Sequence, residues 1–200
     1  MSYLVLWLKK NGHLFLPHYK ANMIMISYRL AKSEDEAAIA KLHAESWQKH
    51  YRGIFSDAYL DEQVVQERAD LWAERFAQPI PNREILLAEK NGLLVGFACI
   101  EINEDPVFGT LLDNLHVSRE VQGQGIGAQL MERTAELAES KQPGLGYYLW
   151  VLEENHQARK FYALMGAINH ETVAHENPDG GTAMVCRYIW RGTNEVRLRK

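Results

Sequence analysis

The chain is short of the features that mark several large protein classes. Two cysteines, Cys99 and Cys186, stand far apart in 200 residues, without histidine or cysteine neighbours at metal-ligand spacing. A disulfide scaffold and a cysteine-based zinc site are thereby excluded, and the pair reads as reduced thiols of a cytosolic protein. Eight histidines are scattered, and no H-x-x-x-H pair occurs among them, so no metal is expected. No apolar run approaches the ~20 residues that a membrane-spanning helix needs. Positive charge is not in excess either: 22 Lys and Arg face 26 Asp and Glu, a formal net charge of -4. Nucleic-acid binders usually carry a basic face, so that class is set aside. The acidic balance leans slightly toward a cationic substrate. Repeats and Pro/Gly/Ser-rich linkers are also missing, which leaves one domain.

What is present is the composition of a globular protein, 46% hydrophobic and 24% charged, with five Trp and nine Tyr. Two hundred residues can bury a sizeable core. The first residues, "MSYLVLWLKKNGHLFLPHYKANM", put their apolar stretch before the lysines, the reverse of a signal peptide, and no small-residue cleavage site follows. Residues 1–23 are read as a dispensable extension, residues 24–192 as the domain, and residues 193–200 as a C-terminal tail.

Within the domain, "MISYRLA" alternates as a strand does. Ser33 and Glu36 have the spacing of a capping box that opens a helix with Ile39, Leu42, His43, Ser46 and Trp47 on one face. A second helix is expected from about Asp57 to Ala77, ended by Pro79 and Pro81. "EILLAEKNGLLVGFACIEI" is a hairpin around Asn91-Gly92, a pair suited to a type I′ turn. The strand "GTLLDNLHV" leads into a glycine-rich turn and a helix, then come a buried strand "GYYLWVLEEN", a helix closed by Gly166, and two strands around "NPDGG". The order is β-α-α-β-β-β-α-β-α-β-β. The fold class is α/β (α+β), with a single mixed, mostly antiparallel sheet of about seven strands and helices on both faces.

The turn "VQGQGIG" poses a physical question. Glycine costs roughly 1 kcal/mol against alanine inside a helix, yet Gly123, Gly125 and Gly127 stand where one begins. A helix N-terminus offers unpartnered N–H groups and partial positive charge, and bare glycines let an anion reach them. The segment from Gln122 to Gly127 is thus a candidate diphosphate site. Gly123-Gln124-Gly125-Ile126-Gly127-Ala128 also fits the dinucleotide fingerprint G-x-G-x-x-G/A. In that motif the strand runs straight into the first glycine, whereas "SREVQ" separates Val117 from Gly123 here. The carboxylate required about 20 residues further on is missing as well.

A second segment narrows the anion. Asn155 is a good helix N-cap, and Ala158, Phe161, Tyr162 and Met165 follow at helical spacing. Taken together, Gln122-Gly123-Gln124-Gly125-Ile126-Gly127 and Asn155, Ala158, Phe161 and Tyr162 resemble the Q/R-x-x-G-x-G/A and N-x-x-A-x-x-F-Y motifs of the GCN5-related N-acetyltransferase (GNAT) superfamily. The resemblance covers about Ile24 to Trp190. "ESWQKHYRGIFSDAYLDEQ" is similar to the first helical region of a bacterial subset of that family.

The resemblance implies acetyl-CoA as co-substrate and an amine acceptor on a small molecule or protein. It puts the diphosphate on the backbone of Gln122, Gly123, Gln124, Gly125, Ile126 and Gly127. It puts the pantetheine arm along Leu115, His116 and Val117, on a strand that splays from its neighbour. Asn155, Ala158 and Phe161 complete the cofactor contacts, and Tyr162 is the general acid for the departing thiolate. For the base, Glu101 and Asp113 are both candidates. Asp113 and His116, three residues apart on one strand, are expected on opposite sheet faces, so that only one of them meets the cleft. His43, Trp47 and Tyr51, at i, i+4 and i+8, either line the acceptor pocket or pack in the core. The resemblance also allows a homodimer. Two rival functions stay open: a non-catalytic acyl-CoA-binding sensor on the same fold, and a dinucleotide oxidoreductase.

Overall fold

A computed structural model describes residues 25–198. The leading segment read as an extension lies outside them. In chain order the elements are β1 (Ile26–Leu30), α1 (Glu36–His50), α2 (Asp57–Glu62), α3 (Val64–Ala77), β2 (Arg83–Lys90), β3 (Leu93–Asp105), β4 (Gly109–Val117), α4 (Ile126–Lys141), β5 (Tyr147–Leu152), α5 (His156–Leu164), β6 (Ile168–Glu176) and β7 (Thr182–Trp190). They form one seven-stranded sheet in the order β1-β2-β3-β4-β5-β7-β6. Only β4 and β5 run parallel; every other neighbouring pair is antiparallel. The expected class and strand content therefore hold. Among the described residues, no helix is long and apolar enough to cross a membrane.

Alternation along β2 and β3 builds two cores, because successive side chains leave opposite faces of a strand. Leu86, Ala88, Ala98 and Ile100 meet Leu130, Met131 and Ala135 of α4 on one face. Leu87, Phe97 and Cys99 meet Ile39 and Leu42 of α1 and Trp72 of α3 on the other. The hairpin between these strands turns at Asn91 (φ +53°) and Gly92 (φ +79°), as their pairing foretold.

Two local expectations are corrected. Ser33 and Glu36 do not form the capping box. Residues Ser33–Asp35 make a short 3-10 turn instead, and Asp35 accepts the Lys32 backbone N–H at 2.8 Å while Arg29 grips the same carboxylate. That guanidinium holds the Asp35 carboxyl below its usual value. The helix expected over Asp57–Ala77 is two helices, α2 capped by Ser56 and α3 restarting after Gln63. The segment read as a C-terminal tail returns to the domain as far as Val196. Val196 is buried in the α4 core, and Thr193 donates to Glu139 at 2.5 Å.

The parallel pair sets up everything that follows. Gly109 opens β4 at φ +85°, and a Cβ there would lie 2.4 Å from the Gly146 carbonyl oxygen. A Cβ on Gly146 would lie 2.6 Å from the Phe108 carbonyl oxygen. Two facing glycines thus let the chains meet, and Thr110 N–H donates to Gly146 O at 3.0 Å. Pairing continues only through Thr110–Tyr147 and Leu111–Tyr148. Beyond Leu111 the strands part. Gly109→Ala is expected to cost about 2 kcal/mol or more, from left-handed strain and overpacking against backbone. In a chain of this size that is a fall of roughly 4–8 °C in Tm by calorimetry; an unchanged Tm would show that the strands do not need this contact.

Candidate active site

The gap between β4 and β5 opens into a cavity of about 1110 Å³. Its walls are Leu112–Val117 of β4, Leu149–Leu152 of β5, the start of α4, and the inner faces of α1, α3 and α5. The glycine turn forms one end. Gly123 (φ +77°) and Gly125 (φ +80°) both adopt the left-handed backbone that favours glycine, and Gly125 is the N-cap of α4. Open space surrounds both where a Cβ would sit. The first turn of α4 carries no acidic side chain, and its N-terminal bond runs from Gln129 N–H to Gly125 O. The N–H groups ahead of Gln129 thus have no intrahelical acceptor, and no local carboxylate offsets the helix dipole. This is the donor set an anion needs. Gln122 steadies the turn by donating to the Val117 carbonyl at 3.0 Å.

Of the residues singled out for the co-substrate, Leu115, His116, Val117, Gln122, Gly123, Gly125, Ile126, Gly127, Asn155, Ala158, Phe161 and Tyr162 all reach this wall. Gln124 points to solvent and does not. Asn155 caps α5, its side chain accepting the Ala158 N–H at 3.1 Å, a bond type that contributes about 1 kcal/mol. Tyr162 is half-buried, and its hydroxyl has no hydrogen-bond partner among the described residues. Burial, with Tyr51 nearby, pushes the phenol well above its ordinary value, so it stays protonated throughout the neutral range.

The two candidate bases separate. Glu101 pairs with Arg83 across the β2–β3 ladder at 2.7 Å and does not line the cavity. Asp113 does line it, with one oxygen held by Arg75 at 2.6 Å. Asp113 and His116 were expected on opposite faces; they share one. Cys99 pairs with Asn114 and Ile100 with Leu112, so Asp113 is an extra residue, a β-bulge that resets the alternation. Asp113 then meets Arg75 of α3, and His116 meets Ser46 of α1 at 2.8 Å.

His43, Trp47 and Tyr51 touch the cavity but are also tightly packed. His43 is 1% exposed, and its Nδ1 accepts from the Trp72 indole at 3.0 Å. That bond puts the proton of the neutral ring on Nε2. The His43 and His116 rings lie 4.5 Å apart. Desolvation first, and cationic neighbours second, hold both below the ordinary histidine value, His116 at about 3. Two contributors to the site had no clear mark in the sequence: the bulge at Asp113 and the Gly109–Gly146 contact. A third, Arg68 of α3, reads from sequence as one more helix-surface charge, yet it is buried against the cavity.

Comparisons with known proteins agree with this architecture. The family model for the acetyltransferase (GNAT) family matches residues 38–167. YuaI, an uncharacterized N-acetyltransferase of Bacillus subtilis (strain 168), is 31% identical over 157 residues, covering 76% of this chain and 84% of that protein. The PaiA N-acetyltransferase of Thermoplasma acidophilum, solved in complex with coenzyme A, superposes with a TM-score of 0.62 at 18% identity, over 84% of this chain and 100% of the other. YncA of Salmonella typhimurium, a structure with acetyl-CoA, gives 0.59 at 17% identity, over 83% of this chain and 93% of that one. The chain belongs to the GNAT acetyltransferase family, whose co-substrate is acetyl-CoA. The dinucleotide reading falls with this result, since that fold needs a mostly parallel sheet.

The neutral histidines have a consequence for stability. In the unfolded chain both rings take up a proton near pH 6.5, which the folded chain refuses. The stabilisation they confer is complete above that value and is lost as pH falls toward the folded values. The urea midpoint is expected to drop between pH 7 and pH 4.5, and less steeply for His116→Gln. Parallel profiles for the two proteins would show that His116 does not titrate with unfolding.

Proposed function

We propose that this protein transfers the acetyl group of acetyl-CoA directly to a primary amine, on a small molecule or a protein. The observation that carries the reading is convergence: the open α4 N-terminus, the unpaired edges of β4 and β5, and the free hydroxyl of Tyr162 all face one cavity. When bound, acetyl-CoA supplies a thioester whose carbonyl carbon takes the amine and whose sulfur leaves with the bonding pair.

The protein's own groups divide the remaining work. Main-chain donors from Gly123 to Gly127 hold the diphosphate, as a helix N-terminus does for anions generally, while the Gln122 N–H is engaged by the Arg119 carbonyl at 3.3 Å. The β4 edge from Leu115 to Val117 lies unpaired toward β5, so its backbone orients the acyl arm and offers an N–H to the developing oxyanion. Tyr162, kept neutral by burial, donates its proton to the departing sulfur. Asp113 is the carboxylate at the cavity and accepts the amine proton, directly or through water, if the amine arrives charged. Buried free thiols at Cys99 and Cys186 suit a reducing, cytoplasmic setting.

A non-catalytic acyl-CoA sensor is the second reading, and one observation favours it: the Asp113 carboxylate is already engaged by Arg75. Thiol release from acetyl-CoA across an amine panel separates the two. Turnover on any amine supports transfer, while tight acetyl-CoA binding with no turnover on every amine supports the sensor. For the enzyme, Tyr162→Phe is expected to lower kcat about 100-fold with little change in KM for acetyl-CoA. Full turnover in that variant would remove Tyr162 from the acid role.

A further inference from the structure

The charge inside the cavity differs from the charge of the chain. Among the described residues that line it, Arg68 and Arg75 are the arginines, and Asp113 is the carboxylate. Asp113 and Arg75 neutralise each other at 2.6 Å. His43 and His116 are neutral at working pH because burial suppresses their protonation. Arg68 is left as the cationic wall residue whose ion-pair partner, Glu67 at 2.6 Å, does not itself line the cavity.

Arg68 is 8% exposed, and its guanidinium carbon sits 4.3 Å over the Trp47 ring. Its hydrogen bonding is incomplete. Nη2 donates to Glu67 at 2.6 Å, whereas Nε is buried without a partner, and no bond from Nη1 is formed among the described residues. Glu67 is itself held by the Tyr59 hydroxyl, has a side chain 40% exposed, and does not line the cavity. Glu67 therefore pairs with Arg68 from off the cavity wall, and Nη1 is left without a protein acceptor among the described residues. An enclosed donor left without an acceptor is costly, about 1–3 kcal/mol and more when charged. A guanidinium is also the side chain that fits a planar carboxylate through two donors. The Trp47 ring supports that guanidinium at 4.3 Å.

Position separates this group from the diphosphate site. Arg68 stands on α3 over the Trp47 ring of α1, whereas the glycine turn leads into α4. A polycationic acceptor would find no free carboxylate there to receive its second ammonium. We propose that the acetyl acceptor is an amine that also carries a carboxylate, of the amino-acid type, and that Arg68 receives that carboxylate. The proposal rests on the acetyl-transfer reading, and it makes Arg68 a specificity-determining residue at the acceptor end of the cavity.

The test uses matched acceptors with the full chain and acetyl-CoA. A panel of amino acids is assayed beside their carboxamides, with spermidine and an aminoglycoside included. At least one amino acid is expected to be acetylated with kcat/KM at least about 10-fold above its carboxamide, the scale of one charge-assisted hydrogen bond. Arg68→Lys, which keeps the charge without the fork, and Arg68→Gln are expected to shrink that ratio, lysine less than glutamine. Calorimetry of the same amino acid with the coenzyme A-loaded protein gives a second readout, in which binding should weaken in the same order even if turnover is slow. Carboxamides or polyamines used as well as or better than every amino acid would overturn the carboxylate proposal and leave acetyl transfer standing. So would an undiminished ratio in a folded Arg68→Gln protein. No turnover on any amine would instead overturn the acetyl-transfer reading, and this proposal with it.

Discussion

The site depends on two parallel strands that meet at one end and nowhere else. Gly109 and Gly146 bring β4 and β5 within contact distance because neither carries a Cβ. Two ladder pairs later the strands separate, and every further backbone donor on that edge must find another partner. In a sheet interior this would be a defect, since buried unpaired N–H and C=O groups are costly. Here the unpaired edges border a cavity of about 1110 Å³. The same divergence opens a cavity that reaches from the N-terminus of α4 to the inner faces of α1 and α3.

Electrostatics then distinguishes the two ends. At the α4 end the attraction comes from main-chain dipoles, with no acidic residue in the first turn to compete. On the α1–α3 side it comes from side chains whose charges are settled by burial. His43 and His116 are held neutral, Asp113 and Arg75 pair within the wall, and Arg68 pairs with Glu67, which lies off it. The formal net charge of -4 suggested a cationic substrate because it sums carboxylates spread over the whole exposed surface. The cavity excludes nearly all of them, so the whole-chain sum carries no information about its wall.

Features written in local chemistry were legible from the amino-acid order. The Asn91-Gly92 turn, the glycines before α4 and the Asn155 cap rest on contacts within a few residues, and the seven strands announce themselves by local side-chain pattern although they pair over long separations. Features that depend on tertiary context were not legible. The bulge at Asp113 arises from pairing with β3 and reverses the facing of one residue, which is why alternation put Asp113 and His116 on opposite sides. The Ser33–Glu36 capping box lost to Asp35, whose carboxylate is drawn in by Arg29 from β1. Glu101 looked as available as Asp113 until the β2 partner Arg83 was known. Arg68 gave no signal, because a helix-borne arginine is usually solvated and only packing against Trp47 encloses it.

The central claim is that one cavity binds an acyl thioester by its diphosphate at the α4 N-terminus and by its arm between β4 and β5. Titration calorimetry with acetyl-CoA, S-acetylpantetheine and NAD addresses it directly. Acetyl-CoA is expected to bind stoichiometrically, and S-acetylpantetheine, which lacks the diphosphate, about 100-fold more weakly or worse. NAD should give no heat of binding at comparable concentration. Equal affinity for acetyl-CoA and S-acetylpantetheine, or preferential binding of NAD, would contradict the claim.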